Sequence, residues 1–383
     1  MPLRVAFIGC GQIAKDHLKG LRALREQPGA PELLLSAVCD PFPERAEAWV
    51  KETASLENPS PVVVTDYREL LKGPQRPDIA SILVPHHLHL EITEAFLHAG
   101  IPVQLQKPIG LGLRDGRRIV ELATETGVPL VVSEPSVLGR ANRNTIQWLR
   151  AGKEIGRPVF MIDQAVIDLE GGFFMTPWRH LKGYAGAGWF IDHGVHRTHW
   201  MLEAFGSCRT AYARTRQLEP LRRNERWGEI PVDTEDVAGA MLEFESGLIC
   251  QWSVMSGGRG QGHWHVQVWG ERGSLHGPNY TVSGSKTPTP LPVPAEDSNL
   301  PLDPFAHSFL ELIQLIRDPK AAVISTPARA LEAEAIVYAS LESAHTGQPI
   351  SVAEVLSGQH HAYEDTVWAA RDALRAKNLD LFT

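Results

Sequence analysis

The chain has 383 residues, 43% hydrophobic and 21% charged, which is enough for more than one packed core and unlike a fibrous or disordered protein. A formal charge of −8 without any lysine or arginine block argues against nucleic acid or an anionic membrane as partner and for a small molecule. Cys10, Cys39, Cys208 and Cys250 show no CxxC or paired spacing, Met1-Pro2-Leu3-Arg4 opens on no signal-peptide pattern, and no apolar run reaches the ~18 residues of a membrane span, so a cytoplasmic protein with reduced thiols is expected.

In chain order, Val5 to Ile8, Leu33 to Cys39, Val62 to Val64, Ile79 to Val84, Val103 to Leu105 and Leu130 to Val132 read as strands. Helical patterns at Ala14 to Leu24, Glu44 to Glu52, Tyr67 to Leu71, Leu88 to Ala99 and Leu113 to Thr126 alternate with them, the order that builds a parallel sheet covered on both faces. After Ser133 the strand-like runs Val159 to Ile167, Thr210 to Thr215, Val237 to Phe244, Leu248 to Val254 and His265 to Trp269 follow with little helix between them, which predicts a largely antiparallel sheet. Thr287 to Pro294 reads as a proline-rich loop, and helices return at Phe305 to Ile316 and Pro327 to Ser343.

The first strand runs into Gly9-Cys10-Gly11-Gln12-Ile13-Ala14, a GxGxxA turn that opens a helix. Gly9 permits the tight turn, Gly11 leaves room for a pyrophosphate, Ala14 allows close helix packing, and the helix N-terminus, from Gln12 and Ile13 on, offers amide donors and a positive dipole end. Asp40 follows the second strand, where a carboxylate accepts hydrogen bonds from ribose hydroxyls and repels a 2′-phosphate; that favours NAD, while Arg45 nearby keeps NADP possible. A turn-forming role for Asp40 before Pro41 is the alternative. The fold class expected is α/β: a Rossmann dinucleotide-binding domain over residues 1–133, then an α+β domain over 134–383 with a large, mostly antiparallel open sheet.

Two further segments lie just beyond strands of the first domain, where such sheets bind ligands: Val84-Pro85-His86-His87-Leu88-His89 and Gln106-Lys107-Pro108. Pro108 restricts the backbone of Lys107 to extended conformations. Downstream, Ala185-Gly186-Ala187-Gly188 leads into Asp192 and His196, whose spacing on one helix places a carboxylate and an imidazole on the same face, one turn apart. The histidine groups 86, 87, 89 and 193, 196, 199 invite a zinc reading, but no dense carboxylate or thiolate set accompanies them and no metal is expected. His263 and His265 read as sheet-face residues.

Together these motifs resemble the Gfo/Idh/MocA family of nucleotide-dependent oxidoreductases, over nearly the whole chain. Gly9 to Ala14 is similar to its nucleotide turn, Pro85 and His89 to its motif after the fourth strand, Lys107-Pro108 to its EKP motif, with Gln106 in place of the glutamate, and Ala185 to His196 to its GGG…DxGxH motif. Trp178-Arg179 resembles a step often found before the last, and Val232 to Val237 looks like the start of a central strand of the second domain. The resemblance implies a Rossmann domain joined to an open-faced α/β domain, with homo-oligomers, dimers or tetramers, formed through the sheet. It implies cofactor contacts from Gly9, Gly11, Gln12, Ile13, Asp40, Arg45, Pro85, His86, His89, Gln106 and Lys107. Lys107, Asp192 and His196 would be catalytic, and Trp178, Arg179 and His193 would join Asp192 and His196 around a carbohydrate or cyclitol. His196 would take the hydroxyl proton, since an ordinary imidazole titrates near ~6.5. Lys107 would polarise the hydroxyl, or serve as base itself, and Asp192 would accept a neighbouring one. Arg179 offers a fork of donors and Trp178 a flat apolar face. The expected activity is hydride transfer between a secondary alcohol and nicotinamide; a redox-neutral glycoside hydrolase or lyase with tightly bound NAD, and a non-catalytic binding protein, are the alternatives. Loops such as Glu170 to Tyr184 would set the substrate.

Overall fold

A computed structural model describes residues 2–53, 60–167, 176–224, 228–292, 301 and 303–377. The chain divides into two compact units.

The first unit holds a six-stranded parallel sheet. Its strands are β1 (Leu3–Ile8), β2 (Leu33–Cys39), β3 (Val62–Val64), β4 (Ile79–Ile82), β5 (Val103–Gln106) and β6 (Leu130–Ser133), in the order β3-β2-β1-β4-β5-β6. The order reverses between β1 and β4, which creates the ligand-binding crevice of doubly wound sheets at the carboxyl ends of those strands. Central strands are buried on both faces because both are covered: every residue of β4 and of β5 is buried, Ser81, Gln104 and Gln106 included. Helices α1 (Gln12–Arg25), α2 (Pro43–Thr53), α3 (His89–His98) and α4 (Leu113–Thr126) connect the strands, and α5 (Pro135–Leu138) follows β6. Helix α1 buries Ala14, Leu18, Leu21 and Leu24, a stripe at helical spacing.

The compact units divide the chain differently from the single boundary expected at residue 133. The first unit runs on to Arg140 and takes back the chain around α10 (Pro304–Arg317), as far as Leu331. Helix α10 supplies Ala306, Phe309, Leu312 and Ile313 to the same core as Phe7, Leu18, Leu21 and Leu24. Phe309 stacks on Phe7 at 6.4 Å. Gly20 of α1 makes this approach possible, since a Cβ there would lie 2.5 Å from the Cβ of Phe305. An apolar stripe on α1 wider than the sheet itself can cover draws the distant helix back to this core.

The second unit begins with α6 (Arg140–Ala151) and is built on a nine-stranded sheet. Its strands β7 (Pro158–Val166), β8 (Cys208–Arg216), β11 (Val237–Phe244), β12 (Ile249–Met255), β13 (His263–Gly270), β14 (Gly273–His276), β15 (Asn279–Val282), β16 (Thr289–Pro290) and β17 (Ile350–Ser351) run in the order β16-β15-β14-β13-β7-β12-β11-β8-β17. All neighbours are antiparallel except β12 and β7. A separate ribbon pairs β9 (Leu221–Asn224) with β10 (Gly228–Pro231). The expected loop at Thr287 to Pro294 contributes the edge strand β16, and its last two residues lie outside the described residues. One face of the sheet is covered, as Ala238, Ala240, Leu242 and Phe244 of β11 show, while Met241 and Glu243 between them point outward. Helices α7 (Lys182–Ala185), α8 (Trp189–Asp192), α9 (Gly194–Phe205), α11 (Pro327–Thr346), α12 (Val352–Leu356) and α13 (Ala362–Ala376) complete the chain; the unit boundary falls within α11.

Candidate functional site

At the carboxyl end of β1, Gly9 has φ +103°, and a Cβ on it would stand 2.5 Å from the carbonyl oxygen of Leu83, so both conformation and space require glycine. Gly11 has neither constraint: a Cβ there would meet nothing within 4 Å. It is the N-cap of α1, gives that helix no side-chain cap, and is followed by a first turn without acidic residues. The amides of Gln12 and Ile13 therefore open a helix N-terminus suited to an anion, and the room over Gly11 suits a pyrophosphate against backbone.

Asp40 braces this turn. Its buried carboxylate accepts from the Cys10 amide at 3.0 Å through one oxygen and from the Phe42 amide at 3.1 Å through the other. The Arg45 guanidinium stands 3.4 Å from it and 4.5 Å over the Phe42 ring. Turn-forming and ribose-facing roles are thus compatible, because Oδ1 keeps a lone pair beyond the one that accepts from Phe42. The neighbouring thiols are inert: burial pushes Cys39 up to about 12 and raises Cys10 further, with the Asp40 charge adding to both.

Beyond β4, Pro85 precedes a single 3₁₀ turn of His86, His87 and Leu88, with His86 and His87 buried. His89 is completely buried, its Nδ1 2.8 Å from the Pro108 carbonyl oxygen and its Nε2 3.0 Å from that of Val84. One imidazole thus ties the segment after β4 to the segment after β5. Burial lowers its pKa to about 4, so the ring is neutral at pH 7 and donates to one of the two carbonyls at a time. Lys107, joined to Pro108 through a cis peptide bond, stands just past β5. Gln106 is buried at the end of β5 with its Oε1 3.4 Å from Nε2 of His17, whose Nδ1 lies 3.0 Å from Gln104. Burial lowers His17 to about 4. The side chain expected beside Lys107 as a cofactor contact is therefore engaged by α1.

In the second unit, the single helix expected to carry both Asp192 and His196 is divided. Helix α8 ends at Asp192, and α9 starts at Gly194 with His193 as its N-cap. The backbone stays helical through His193, at φ −88° and ψ −36°, and His196 donates its amide to the His193 carbonyl. Arg179 reaches Asp192 at 3.6 Å, donates to Thr176 at 2.6 Å, and lies 4.4 Å over the Trp178 ring, so these expected substrate contacts form one cluster. His193 stacks on Trp189 at 4.6 Å and stands edge-on to His196 at 6.3 Å. His199, by contrast, is buried. In the loop Glu170 to Tyr184, residues 170–175 lie outside the described residues.

The lead-in to β11 holds this segment in place. Glu235 accepts from the Gly188 amide at 2.9 Å and from that of Phe190 at 3.2 Å, capping α8, and Asp233 accepts from the Lys182 amide at the start of α7. A Cβ on Gly188 would strike the Glu235 carbonyl, which explains why glycine stands there while Ala185 and Ala187 fill buried positions. Phe190 stacks on Trp252 at 4.3 Å, and Arg197 of α9 pairs with buried Asp163 of β7 at 2.6 Å, fastening α8 and α9 to the covered face of the sheet. From α13, the Tyr363 hydroxyl donates to the Gly186 carbonyl at 3.2 Å. Asp233 and Glu235 are positioning residues; the resemblance marks their stretch only as the start of a strand and gives neither a role.

A parallel sheet with an uncapped helix behind a glycine turn is the architecture of a dinucleotide-binding domain. Residues 3–134 match the family model described as "Oxidoreductase family, NAD-binding Rossmann fold", and residues 145–276 match that of the "GFO/IDH/MocA C-terminal domain". The chain belongs to the Gfo/Idh/MocA family and is an NAD-dependent oxidoreductase. It is 27% identical over 304 residues to the 1,5-anhydro-D-fructose reductase of Ensifer adhaerens, covering 79% of this chain and 83% of that one. To the inositol 2-dehydrogenase of Salmonella paratyphi B it is 23% identical over 276 residues, 71% of this chain and 73% of the other. A structure of levoglucosan dehydrogenase in complex with NADH superposes with a TM-score of 0.78 at 19% identity, covering 92% of this chain and 99% of that one, which shows the shared fold.

Among the described residues, no group of three or more histidine, cysteine or acidic side chains is placed to hold a metal, and no helix is long and apolar enough to cross a membrane.

Proposed function

We propose that the protein oxidises, or in reverse forms, a secondary alcohol on a sugar, sugar derivative, glycoside or cyclitol. The observation that carries this reading is the cluster formed by the 3₁₀ turn Pro177–His180 with α8, where Arg179 and Asp192 present donors and acceptors beside the flat Trp178 ring, next to His193, with His196 on α9. Neighbouring hydroxyls need that combination of a carboxylate, a donor fork and an apolar surface. The reductase and inositol dehydrogenase relatives support it.

NAD, when bound, supplies the hydride acceptor. Gly9, Gly11, Gln12 and Ile13 receive its pyrophosphate, and Asp40 takes its ribose hydroxyls; NADP is disfavoured because Arg45 already pairs with Asp40. Pro85, His86 and His89 shape the rim past β4, and Gln106 acts through its contact with His17. His196 takes the hydroxyl proton, Lys107 polarises the reacting oxygen, and Asp192 with Arg179 fixes the neighbouring hydroxyl. The exposed side chains Val159, Tyr212, Met241 and Ile249 on the open sheet face support a homo-oligomer, and four buried thiols support a cytoplasmic location.

The test is reduced-nicotinamide absorbance with NAD or NADP and a panel of aldoses, uronates, cyclitols and glycosides. Sustained signal that is lost in both Lys107→Ala and His196→Ala is the expected result. Glycoside consumption without net reduced nicotinamide would replace this reading with a redox-neutral hydrolase or lyase, and sugar binding without turnover with a non-catalytic protein.

A further inference from the structure

The reading of a sugar or cyclitol substrate underlies one further assignment, a side chain of β13. Along that strand His263, His265 and Gln267 point to the open face, level with Val166, Gln164 and Ile162 of β7. Trp264 and Val266 point to the covered face, level with Ala165 and Asp163. Across the sheet the Trp264 row continues through Ala165, Val254 and Ala238, each almost completely buried. Trp264 is nevertheless 59% exposed, the highest value among the exposed large hydrophobic side chains of the described residues. It stands beside the candidate site: its ring lies edge-on to His193 at 5.1 Å and 88°, and to Trp189 at 6.1 Å and 84°. His193 and Trp189 stack on each other at 16°, and Trp264 is close to perpendicular to both.

The three rings make a right-angled corner with an exposed indole as one wall and the stacked His193 and Trp189 rings as the other. We infer that Trp264 is the apolar wall of the substrate subsite, against which one face of the ring stacks while its hydroxyl edge turns to the His193, His196 and Asp192 side. An indole recognises a ring face on which C–H bonds lie together and no hydroxyl stands axial, because an axial hydroxyl would hold the planes apart and be desolvated without a partner. The class of substrate selected is therefore a pyranoside or cyclitol whose stacked face is free of axial hydroxyls, over epimers with an axial hydroxyl on that face. Trp264 is a binding and specificity residue; proton transfer belongs to other side chains.

The experiment compares wild type, Trp264→Phe and Trp264→Ala, each loaded with NADH, by saturation-transfer NMR with methyl β-D-glucopyranoside, methyl β-D-galactopyranoside and myo-inositol. Circular dichroism and NADH affinity report folding and the dinucleotide site, and both are expected unchanged because the side chain is largely exposed. Wild type is expected to bind, with saturation strongest at the ring C–H protons. Trp264→Ala should weaken the preferred sugar about 10- to 100-fold and erase the preference between the two glycosides, while Trp264→Phe retains most of both. For any sugar that is turned over, KM should carry this loss while kcat changes by less than about 3-fold. Equal affinity and epimer preference in wild type and Trp264→Ala would overturn the assignment and leave the sugar reading standing. Failure of wild type itself to bind or turn over any sugar would overturn the reading and the subsite together.

Discussion

Replacing Glu235 by alanine removes the acceptor that holds the amides of Gly188 and Phe190 at the start of α8. Both amides then remain in a buried setting with no acceptor, at about 1–3 kcal/mol each. Part of that is returned, because burial raises the Glu235 pKa and its ionised form is already costly to hold. The net expectation is a loss of about 2–4 kcal/mol in the second unit. The Glu235→Gln variant, which keeps one carbonyl oxygen, should lose about half as much. Since α8 carries Asp192 and leads through His193 to His196, the same change should lower kcat at least 10-fold, with NADH affinity unaltered. Denaturant unfolding followed by tryptophan fluorescence, steady-state kinetics and NADH titration supply the three readouts. Unfolding within about 0.5 kcal/mol of wild type together with unchanged kcat would refute the argument that Glu235 caps and positions the catalytic segment.

The two glycines of the turn should separate stability from binding. Gly9→Ala should destabilise the first unit by about 2–4 kcal/mol, from its positive φ and the contact with Leu83, whereas Gly11→Ala should leave unfolding within about 0.5 kcal/mol and weaken NAD at least 10-fold by calorimetry. Asp40→Ser should narrow the preference for NAD over NADP in paired KM measurements, and an unchanged ratio would remove Asp40 from ribose recognition. His17, with its folded pKa near 4 against 6.5 for the ordinary ring, stays unprotonated where the unfolded chain takes up a proton. Stability should therefore be complete above pH ~6.5 and fall by up to about 3 kcal/mol as pH drops toward 4; Gln106→Glu should raise the His17 midpoint in NMR titration and flatten that fall. Exhaustive chelation should leave turnover unchanged, and activity restored only by an added metal would contradict the metal-free reading.

Both sheets were legible because their strands differ in kind. Runs such as Val5–Ile8 are apolar throughout and alternate with amphipathic helices, whereas Val237–Phe244 alternates residue by residue, as a sheet with one covered face must. The helices α6 and α13 went unseen for the opposite reason. In α13 the buried positions are Tyr363, Glu364, Val367 and Arg371, so half of the buried set is charged and the apolar periodicity that marks a helix is weak. Motif residues could be picked out because glycine, proline and acidic residues weaken a strand, so a cluster of them at a strand end marks a turn or a ligand. Partnerships could not: that Gln106 faces His17, that Glu235 caps α8, and that Trp264 alone in its row is exposed depend on register and on which helix returns to which face. The division of α8 from α9 at His193 was hidden because Gly194 and His193 leave the helical spacing of Asp192 and His196 intact in the sequence.

The return of α10 to the first core has a consequence for how the protein is made. Phe309, Leu312 and Ile313 are as much part of that core as Phe7 and Leu21, yet nearly 300 positions of chain separate the two sets. As the N-terminus leaves the ribosome, the dinucleotide unit must wait, its apolar helix face uncovered, until most of the second unit has been synthesised. A fragment cut at residue 133 would keep every nucleotide-binding motif and lack part of its own interior, so the portable cofactor module of this enzyme is a spliced one, residues up to 140 joined to the stretch through Leu331.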